Sequence, residues 1–192
     1  MRGTGAPAAA ARDNATVNGY VYQLQLMQQT GGDFNSPGNT SLNQTIWAVI
    51  ALDFAANNGY SAAFDRNKAI DYICARQDAS GGFDESGWGE DADSTAHALI
   101  ALAPYRQIQS VEGAISAGLN YLKSKQLNSG RIDNYGENPA STAAVVEALI
   151  ALGQDPGGSD WAKNGVTLID SLLEYQRKDG AFVQVVQYNG KD

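Results

Sequence analysis

Residues 77–83 read Gln-Asp-Ala-Ser-Gly-Gly-Phe, and the same pattern recurs along the chain. A glutamine is followed by a glycine four positions later and by Phe or Ile six positions later, in the stretches 28–34, 77–83, 126–132 and 176–182. The four glutamines are 49, 49 and 50 residues apart. A fixed period of this length is the signature of a repeat architecture, so we expect each repeat to form one supersecondary unit.

A second element keeps the same phase. The stretches TIWAVIAL (45–52), TAHALIAL (95–102) and TAAVVEAL (142–149) each begin 16 to 18 residues after the glutamine. They consist of helix formers that are apolar on nearly every side, which predicts helices buried over most of their surface. The segments before each glutamine carry apolar residues at helical spacing on one face, which is typical of amphipathic helices.

These patterns predict an all-α chain of helical hairpins stacked into a partial, curved array. The predicted helices lie near 16–29, 41–57, 65–77, 92–103, 111–126, 139–152 and 160–176. A flexible leader is expected over 1–15, the repeat domain over 16–184 and a tail over 185–192. The expected N-caps of the three buried helices are Asn43, either Asp93 or Ser94, and Ser141. Gly81, Gly130 and Gly180 suit the left-handed turn that ends a helix.

Composition excludes several classes of function. The formal net charge is -8, with 13 Lys and Arg against 21 Asp and Glu, so binding to a phosphate backbone is not expected. The sequence lacks the run of about 18 apolar residues that a membrane-spanning helix needs. A single cysteine, Cys74, cannot form an intrachain disulfide.

The Gln-x-x-x-Gly-x-Phe pattern resembles the Gln-Trp motif of the α/α-toroid superfamily. That superfamily includes class II terpene cyclases such as squalene-hopene cyclase, protein prenyltransferase β subunits, cobalamin carriers and complement-type thioester domains. The stretches 138–156 and 161–182 resemble more closely the prenyltransferase/squalene-oxidase-type repeats of bacterial, often cell-surface, proteins. The resemblance covers about residues 16–184 and implies an open or half toroid, because a closed toroid of this superfamily has six hairpins. It also implies a homodimer that completes the toroid and a cell-surface location, and the single cysteine fits a cytoplasmic protein equally well.

The resemblance gives Asp91–Ala96 two interpretations. The stretch reads Asp-Ala-Asp-Ser-Thr-Ala and is similar to the cyclases' Asp-x-Asp-Asp-Thr-Ala motif, whose acid protonates an alkene. In a fragment of a class II cyclase or prenyltransferase-like enzyme, Asp93 would be the acid and Asp91 its neighbour. The alternative, which the short chain and the missing third Asp of the motif favour, is that these carboxylates begin a helix and the protein is not an enzyme.

Metal sites are weaker candidates. The acidic loop 84–93 offers Asp84, Glu90 and Asp91 as oxygen ligands for calcium, although the EF-hand spacing is absent. Cys74 and His97 suggest zinc only through the resemblance to protein prenyltransferases. No cofactor is expected, and calcium is the one candidate.

Aromatic residues mark the preferred hypothesis, a non-catalytic ligand-binding or adhesion module. The loops before the buried helices should lie at one end of the array, which would gather aromatic and polar side chains there. Such a surface suits a glycan, a peptide or another small amphipathic ligand. The predicted binding residues are Asn43, Trp88, Asp91, Asp93, His97, Tyr135 and Asn138.

Overall fold

The computed structural model describes residues 17–36, 38–85 and 87–183, so the predicted leader and tail lie outside the described residues. The described chain is mostly helical, which confirms the all-α class. Its α-helices are α1 (Val17–Gln25), α2 (Leu42–Asn57), α3 (Arg66–Cys74), α4 (Ala92–Leu102), α5 (Gln109–Lys125), α6 (Pro139–Ala151) and α7 (Leu168–Leu173). Two 3-10 turns span Ala103–Tyr105 and Ser159–Trp161, and β1 (Ala162–Lys163) pairs antiparallel with β2 (Val166–Thr167).

The chain divides into two compact units. Of the described residues, unit 1 contains those up to Arg76 together with Glu85 and Gly87, and unit 2 contains Gln77–Asp84 and those from Trp88 onwards. Unit 1 contains helices α1 to α3, and its core is built from residues such as Phe34, Leu52 and Ile70. Unit 2 contains helices α4 to α7, in which α4 packs on both α5 and α6, and α6 packs on α7.

The glutamine of each complete repeat joins its own turn to the next repeat along the chain. In unit 2, Nε2 of Gln77 donates to the carbonyl of Gly81 at 2.9 Å and to that of Ala114, in α5, at 2.8 Å. Nε2 of Gln126 donates to the carbonyls of Gly130 at 3.2 Å and Trp161 at 2.9 Å. One amide group thus connects a helix end to the element that covers it.

Unit 1 contains the same connection. Nε2 of Gln28 donates to the carbonyls of Gly32 at 3.2 Å and Asp65 at 2.9 Å. Oε1 of Gln28 also accepts a hydrogen bond of 2.7 Å from the Asp65 amide. Because the same contacts recur in both units, the repeated glutamine has a structural role.

The glycine of the pattern is required by both conformation and space. Gly32 and Gly81 have φ of 96° and 90°, in the left-handed region. A Cβ at Gly32 would lie 2.3 Å from the carbonyl oxygen of Lys68, and one at Gly81 would lie 2.5 Å from that of Ala117. No side chain fits at either distance, so the turn and the next helix can approach only at glycine.

A buried threonine fixes the start of each buried helix. The Oγ1 of Thr95 accepts a hydrogen bond of 3.0 Å from the amide of Phe83 and donates one of 2.7 Å to the carbonyl of Asp91. The amides of Phe34 and Ile132 donate in the same way to the hydroxyls of Thr45 at 3.1 Å and Thr142 at 3.3 Å. The Phe or Ile of each repeat is therefore held in the core by its backbone as well as its side chain.

The predicted N-caps are wrong by two or three residues. The side chains that cap α2, α4 and α6 belong to Ser41, Asp91 and Asn138, rather than to Asn43, Asp93 or Ser94, and Ser141. Each cap stands four residues before the buried threonine, whose hydroxyl fixes where the helix begins. The prediction placed each cap at the polar residue nearest the apolar run and did not take the bonds of the threonine hydroxyl into account.

The predicted helix over 160–176 is also wrong in its first half. Asn164 and Gly165 have φ of 52° and 81°, which forms the two-residue turn of a β-hairpin and interrupts any helix. Helix α7 begins only at Leu168, after a capping box between Thr167 and Asp170. The Asn-Gly pair is a sequence signal that favours such a hairpin, and the helix prediction did not use it.

Of the three helices predicted to be buried on nearly every side, α4 has no exposed residue, which confirms the prediction, whereas α2 and α6 each leave a stripe exposed. Trp47 and Phe54 are exposed on α2, and Ile150 is exposed on α6. None of the helices in the described ranges combines the length and apolar character needed to cross a membrane.

We expect Gln126→Ala to lower the free energy of unfolding by about 2–3 kcal/mol. The variant loses two hydrogen bonds worth about 1 kcal/mol each and leaves two carbonyls buried without their partner. Gln176→Ala is the matched control, because Gln176 is exposed and donates only to Gly180 among the described residues; its cost should stay below about 1 kcal/mol. Urea unfolding followed by circular dichroism measures both, and equal losses would contradict the role given to Gln126.

Candidate functional site

Two loops of unit 2 meet beside the start of α4. Each loop is closed at its base by a backbone bridge, between Phe83 and Asp91 in the first and between Asp133 and Glu137 in the second. The Oδ1 of Asn134 accepts a hydrogen bond of 3.0 Å from the amide of Ala92, so the second loop helps to cap the helix that follows the first. The loops that precede α4 and α6 are therefore neighbours, as the repeat predicts.

A cavity of about 250 Å³ lies between these loops and the end of α5. Its lining combines carboxylate, amide, phenol and ammonium groups, from Glu90, Asp91, Lys125, Asp133, Asn134 and Tyr135. Such a lining can both donate and accept hydrogen bonds, which a polar ligand requires.

Tyr121 of α5 holds the first loop through a hydrogen bond to its backbone. Its buried hydroxyl donates a hydrogen bond of 2.9 Å to the carbonyl of Glu90, and the ammonium of Lys125 lies 5.0 Å from the centre of its ring. Burial, together with the carboxylates of Glu90 and Asp91, raises the pKa of Tyr121 to about 12. The phenol is therefore protonated near neutral pH and keeps donating to the loop.

Two aromatic side chains project from the loops. Trp88 is 88% exposed, and Tyr135 is 84% exposed. Tyr135 has φ of 56°, a conformation that is unusual for a bulky residue and is found more often where function requires it. Tyr135 also lines the cavity, and an exposed aromatic ring at a polar cavity is typical of binding sites.

Asp91 contributes mainly to the structure. Its Oδ1 accepts a hydrogen bond of 2.8 Å from the Ser94 amide, and its Oδ2 accepts one of 2.7 Å from the Ser94 hydroxyl. Asn138 has the same task at α6, where its Oδ1 accepts from the Ser141 amide at 2.8 Å. Both residues were predicted to bind ligand, and both use their side-chain oxygens as helix caps.

Three of the other predicted binding residues, Asp93, His97 and Asn43, do not line this cavity. Asp93 lies in the first turn of α4 with a buried Oδ1 that has no hydrogen-bond partner, and His97 follows one turn later, half-buried. Asn43 belongs to unit 1, where it lines an apolar pocket with Trp47 and Met27. Asn43 and Asp93 occupy corresponding places, two residues before Thr45 and Thr95.

The structure gives the metal hypotheses little support. In the ranges that the structure describes, no group of three or more His, Cys, Asp or Glu side chains is placed to hold a metal ion. One oxygen of Asp84 accepts a hydrogen bond of 2.9 Å from the Gly89 amide. Burial, and next the carboxylate of Asp71, raise the pKa of Cys74 to about 11, so its thiol is protonated near neutral pH and is a poor ligand. A calcium site stays a prediction.

Sequence reasoning missed Tyr121, Lys125, Asp133 and Asn134. Lys125 directly precedes the repeat glutamine Gln126, so the phase of the repeat places it at the end of α5. The stretch Asp133–Gly136 carries a turn signal, but its position against the neighbouring loop depends on how two repeats stack. The spacing between the two loops depends on the tertiary contacts of Gln77 and Gly81, and the sequence of the loop does not encode it.

No family model matches the chain, and a search of the curated proteins finds no significant match. The site must therefore be interpreted from its own chemistry.

We expect Asp91→Ala to destabilise unit 2 by about 2 kcal/mol, because it removes a helix cap and the acceptor of the buried Ser94 hydroxyl. Asp93→Ala, two residues away, should change the free energy of unfolding by less than about 1 kcal/mol, since it loses only the interaction with the helix dipole. Thermal and urea unfolding of both variants measure the difference. A larger loss for Asp93→Ala would show that the cap has been assigned to the wrong carboxylate.

Proposed function

We propose that the chain is a non-catalytic ligand-binding module of the α/α-toroid type, and that the two loops of unit 2 bind a glycan. The observation that carries the proposal is the exposed ring of Tyr135 at a cavity of mixed polar lining, and Trp88 is a second exposed ring on the other of the two loops. The α/α-toroid assignment rests on the resemblance of the Gln-x-x-x-Gly repeat. The resemblance to bacterial cell-surface repeats implies a location where glycans are accessible.

The lining favours a glycan over the other ligand classes. A sugar hydroxyl both donates and accepts, so it can pair with the carboxylates of Glu90 and Asp133 and with the ammonium of Lys125. A strongly cationic peptide would be repelled by the ammonium of Lys125, and an anionic ligand would be repelled by the carboxylates of the lining. The apolar C–H face of a sugar ring can also pack on Trp88 or Tyr135.

Binding without catalysis agrees with the hydrogen bonds of the acidic loop. Asp91 accepts from the amide and the hydroxyl of Ser94, so its position is explained by helix capping without a catalytic role. The enzyme alternative, a cyclase fragment, is favoured by one observation, the unpartnered buried Oδ1 of Asp93. Ser94 stands where that motif carries its third Asp, so the adjacent pair of carboxylates in the motif is incomplete here.

Trp88→Ala and Tyr135→Asn test the proposal. The full chain is first applied to a printed oligosaccharide array, and the best ligand is then titrated by calorimetry. Each variant should weaken binding at least about tenfold, or about 1.4 kcal/mol, because one stacking surface is lost. Asn is chosen at position 135 because it tolerates the left-handed backbone, so stability should not fall.

Phe54→Ala is the matched control, since Phe54 is an exposed aromatic residue of unit 1 and should leave the affinity unchanged. No binding to any glycan on the array, or equal affinity of the Trp88→Ala, Tyr135→Asn and unmodified proteins, would contradict the proposal. Loss of binding in Asp93→Asn alone would favour the alternative centred on that carboxylate.

A further inference from the structure

Asn164 and Gly165 form the tip of the hairpin between β1 and β2. Their φ angles of 52° and 81° are those of a two-residue turn, and both residues are exposed to solvent. In an Asn-Gly pair the backbone nitrogen of the glycine can attack the side-chain carbonyl carbon of the asparagine, because glycine has no Cβ to obstruct the approach. The tip therefore carries a chemically reactive pair, and its hydrogen bonds decide how far it is protected.

Neither reacting group at the hairpin tip is restrained. Within the described part of the chain, the side-chain amide of Asn164 and the backbone N–H of Gly165 make no hydrogen bond. The strands on either side of the turn are only two residues long, Ala162–Lys163 and Val166–Thr167. Segments with so few ladder bonds open locally at low cost, so the turn can rotate into the geometry that the attack requires.

The Asn-Gly pair after α2 has the same two residue types, but both reacting groups are held. Nδ2 of Asn58 donates a hydrogen bond of 2.8 Å to the carbonyl of Phe54. The N–H of Gly59 donates one of 3.0 Å to the carbonyl of Ala56. The pair at 18–19 lies inside helix α1, whose backbone conformation must open before the attack is possible. Among these three pairs, the hairpin tip is the least protected.

We propose that Asn164 is a site of spontaneous deamidation, and that its isoaspartyl product loosens the contact between the hairpin and the Gln126 turn. The Gly165 nitrogen loses its proton to solvent base and bonds to Cγ of Asn164, while the Cγ–Nδ2 bond breaks and Nδ2 leaves as ammonia. Water then opens the cyclic imide at either carbonyl. Opening at the main-chain carbonyl gives isoaspartate, and opening at Cγ gives aspartate. Water is the only co-reactant, since one water is consumed for each ammonia released.

The isoaspartyl product alters the main chain where the hairpin covers the third glutamine turn. Gly130 of that turn approaches β2 so closely that a Cβ there would lie 3.0 Å from the carbonyl oxygen of Val166 and 3.1 Å from that of Thr167. Isoaspartate inserts a methylene group into the main chain at the tip and adds a negative charge. A two-residue turn cannot absorb the longer path, so β2 must shift against the turn that it covers.

Timed incubation of the full chain in mildly alkaline buffer tests the modification. An endoproteinase that cuts before aspartate releases residues 160–169 and 53–64, each with one Asn-Gly pair. Mass spectrometry should find deamidation at least about tenfold faster in 160–169, because two hydrogen bonds must open first at Asn58. The endoproteinase cuts at aspartate and leaves isoaspartate uncut, so it also distinguishes the two products.

The same incubation in concentrated urea is the control for local sequence. Both peptides should then react at similar rates, because neither pair keeps its folded surroundings. The proposal is overturned if Asn164 does not deamidate in the folded chain, or if Asn58 reacts as fast as Asn164 there.

Urea unfolding tests the consequence for the hairpin. Anion exchange separates the deamidated chains, which carry one more negative charge, and the digest gives their isoaspartate content. Isoaspartyl chains should unfold at a lower urea concentration than unmodified chains. Asn164→Asp is the matched control, because it adds the charge without lengthening the main chain, and it should unfold close to the unmodified chain. Equal midpoints for isoaspartyl and unmodified chains, or for isoaspartyl and Asn164→Asp chains, would overturn the loosening by the longer main chain.

Discussion

The fold depends on one recurring contact, the glutamine amide that spans from its own turn to the next repeat. In unit 2, Gln77 reaches Gly81 and Ala114 with bonds of 2.9 and 2.8 Å, and Gln126 makes the equivalent pair. The amide can do this only because Gly81 lets the next helix approach to a distance at which no side chain fits. Since a helical hairpin cannot bury both its faces alone, this contact determines where its neighbour packs.

The candidate site is a consequence of that contact. Stacking brings the loop before α4 next to the loop before α6, where Asn134 bonds to the amide of Ala92 at 3.0 Å. The base of each loop is fixed in the core, in the first by the bond of Phe83 to Thr95 and in the second by the bond of Ile132 to Thr142. Trp88 is exposed on the first loop. A rigid repeat with variable loops is an arrangement that lets one fold bind many ligands.

Much of this architecture could be predicted from the sequence, because the period of the repeat and the helical spacing of its apolar residues are local signals. The caps could not be placed, because the start of α4 is set by a tertiary bond between Phe83 and Thr95. The hairpin at Asn164 and Gly165 has a local signal in the Asn-Gly pair, but the apolar residues that follow have helical spacing, which led to the prediction of a helix. In the candidate site, the aromatic residues could be predicted from the sequence, whereas Lys125 lines the cavity only because successive repeats pack against each other.

A comparison of Gly81→Ala with Gly180→Ala tests the central claim most directly. Both glycines have nearly the same φ, 90° and 87°, but only a Cβ at Gly81 meets the next helix, 2.5 Å from the carbonyl oxygen of Ala117. Urea unfolding should show a loss of about 1–2 kcal/mol for Gly180→Ala, from backbone strain alone. Gly81→Ala should cost clearly more, because the turn and helix must separate. Equal losses would contradict the account, since they would show that the close approach of successive repeats does not hold the fold together.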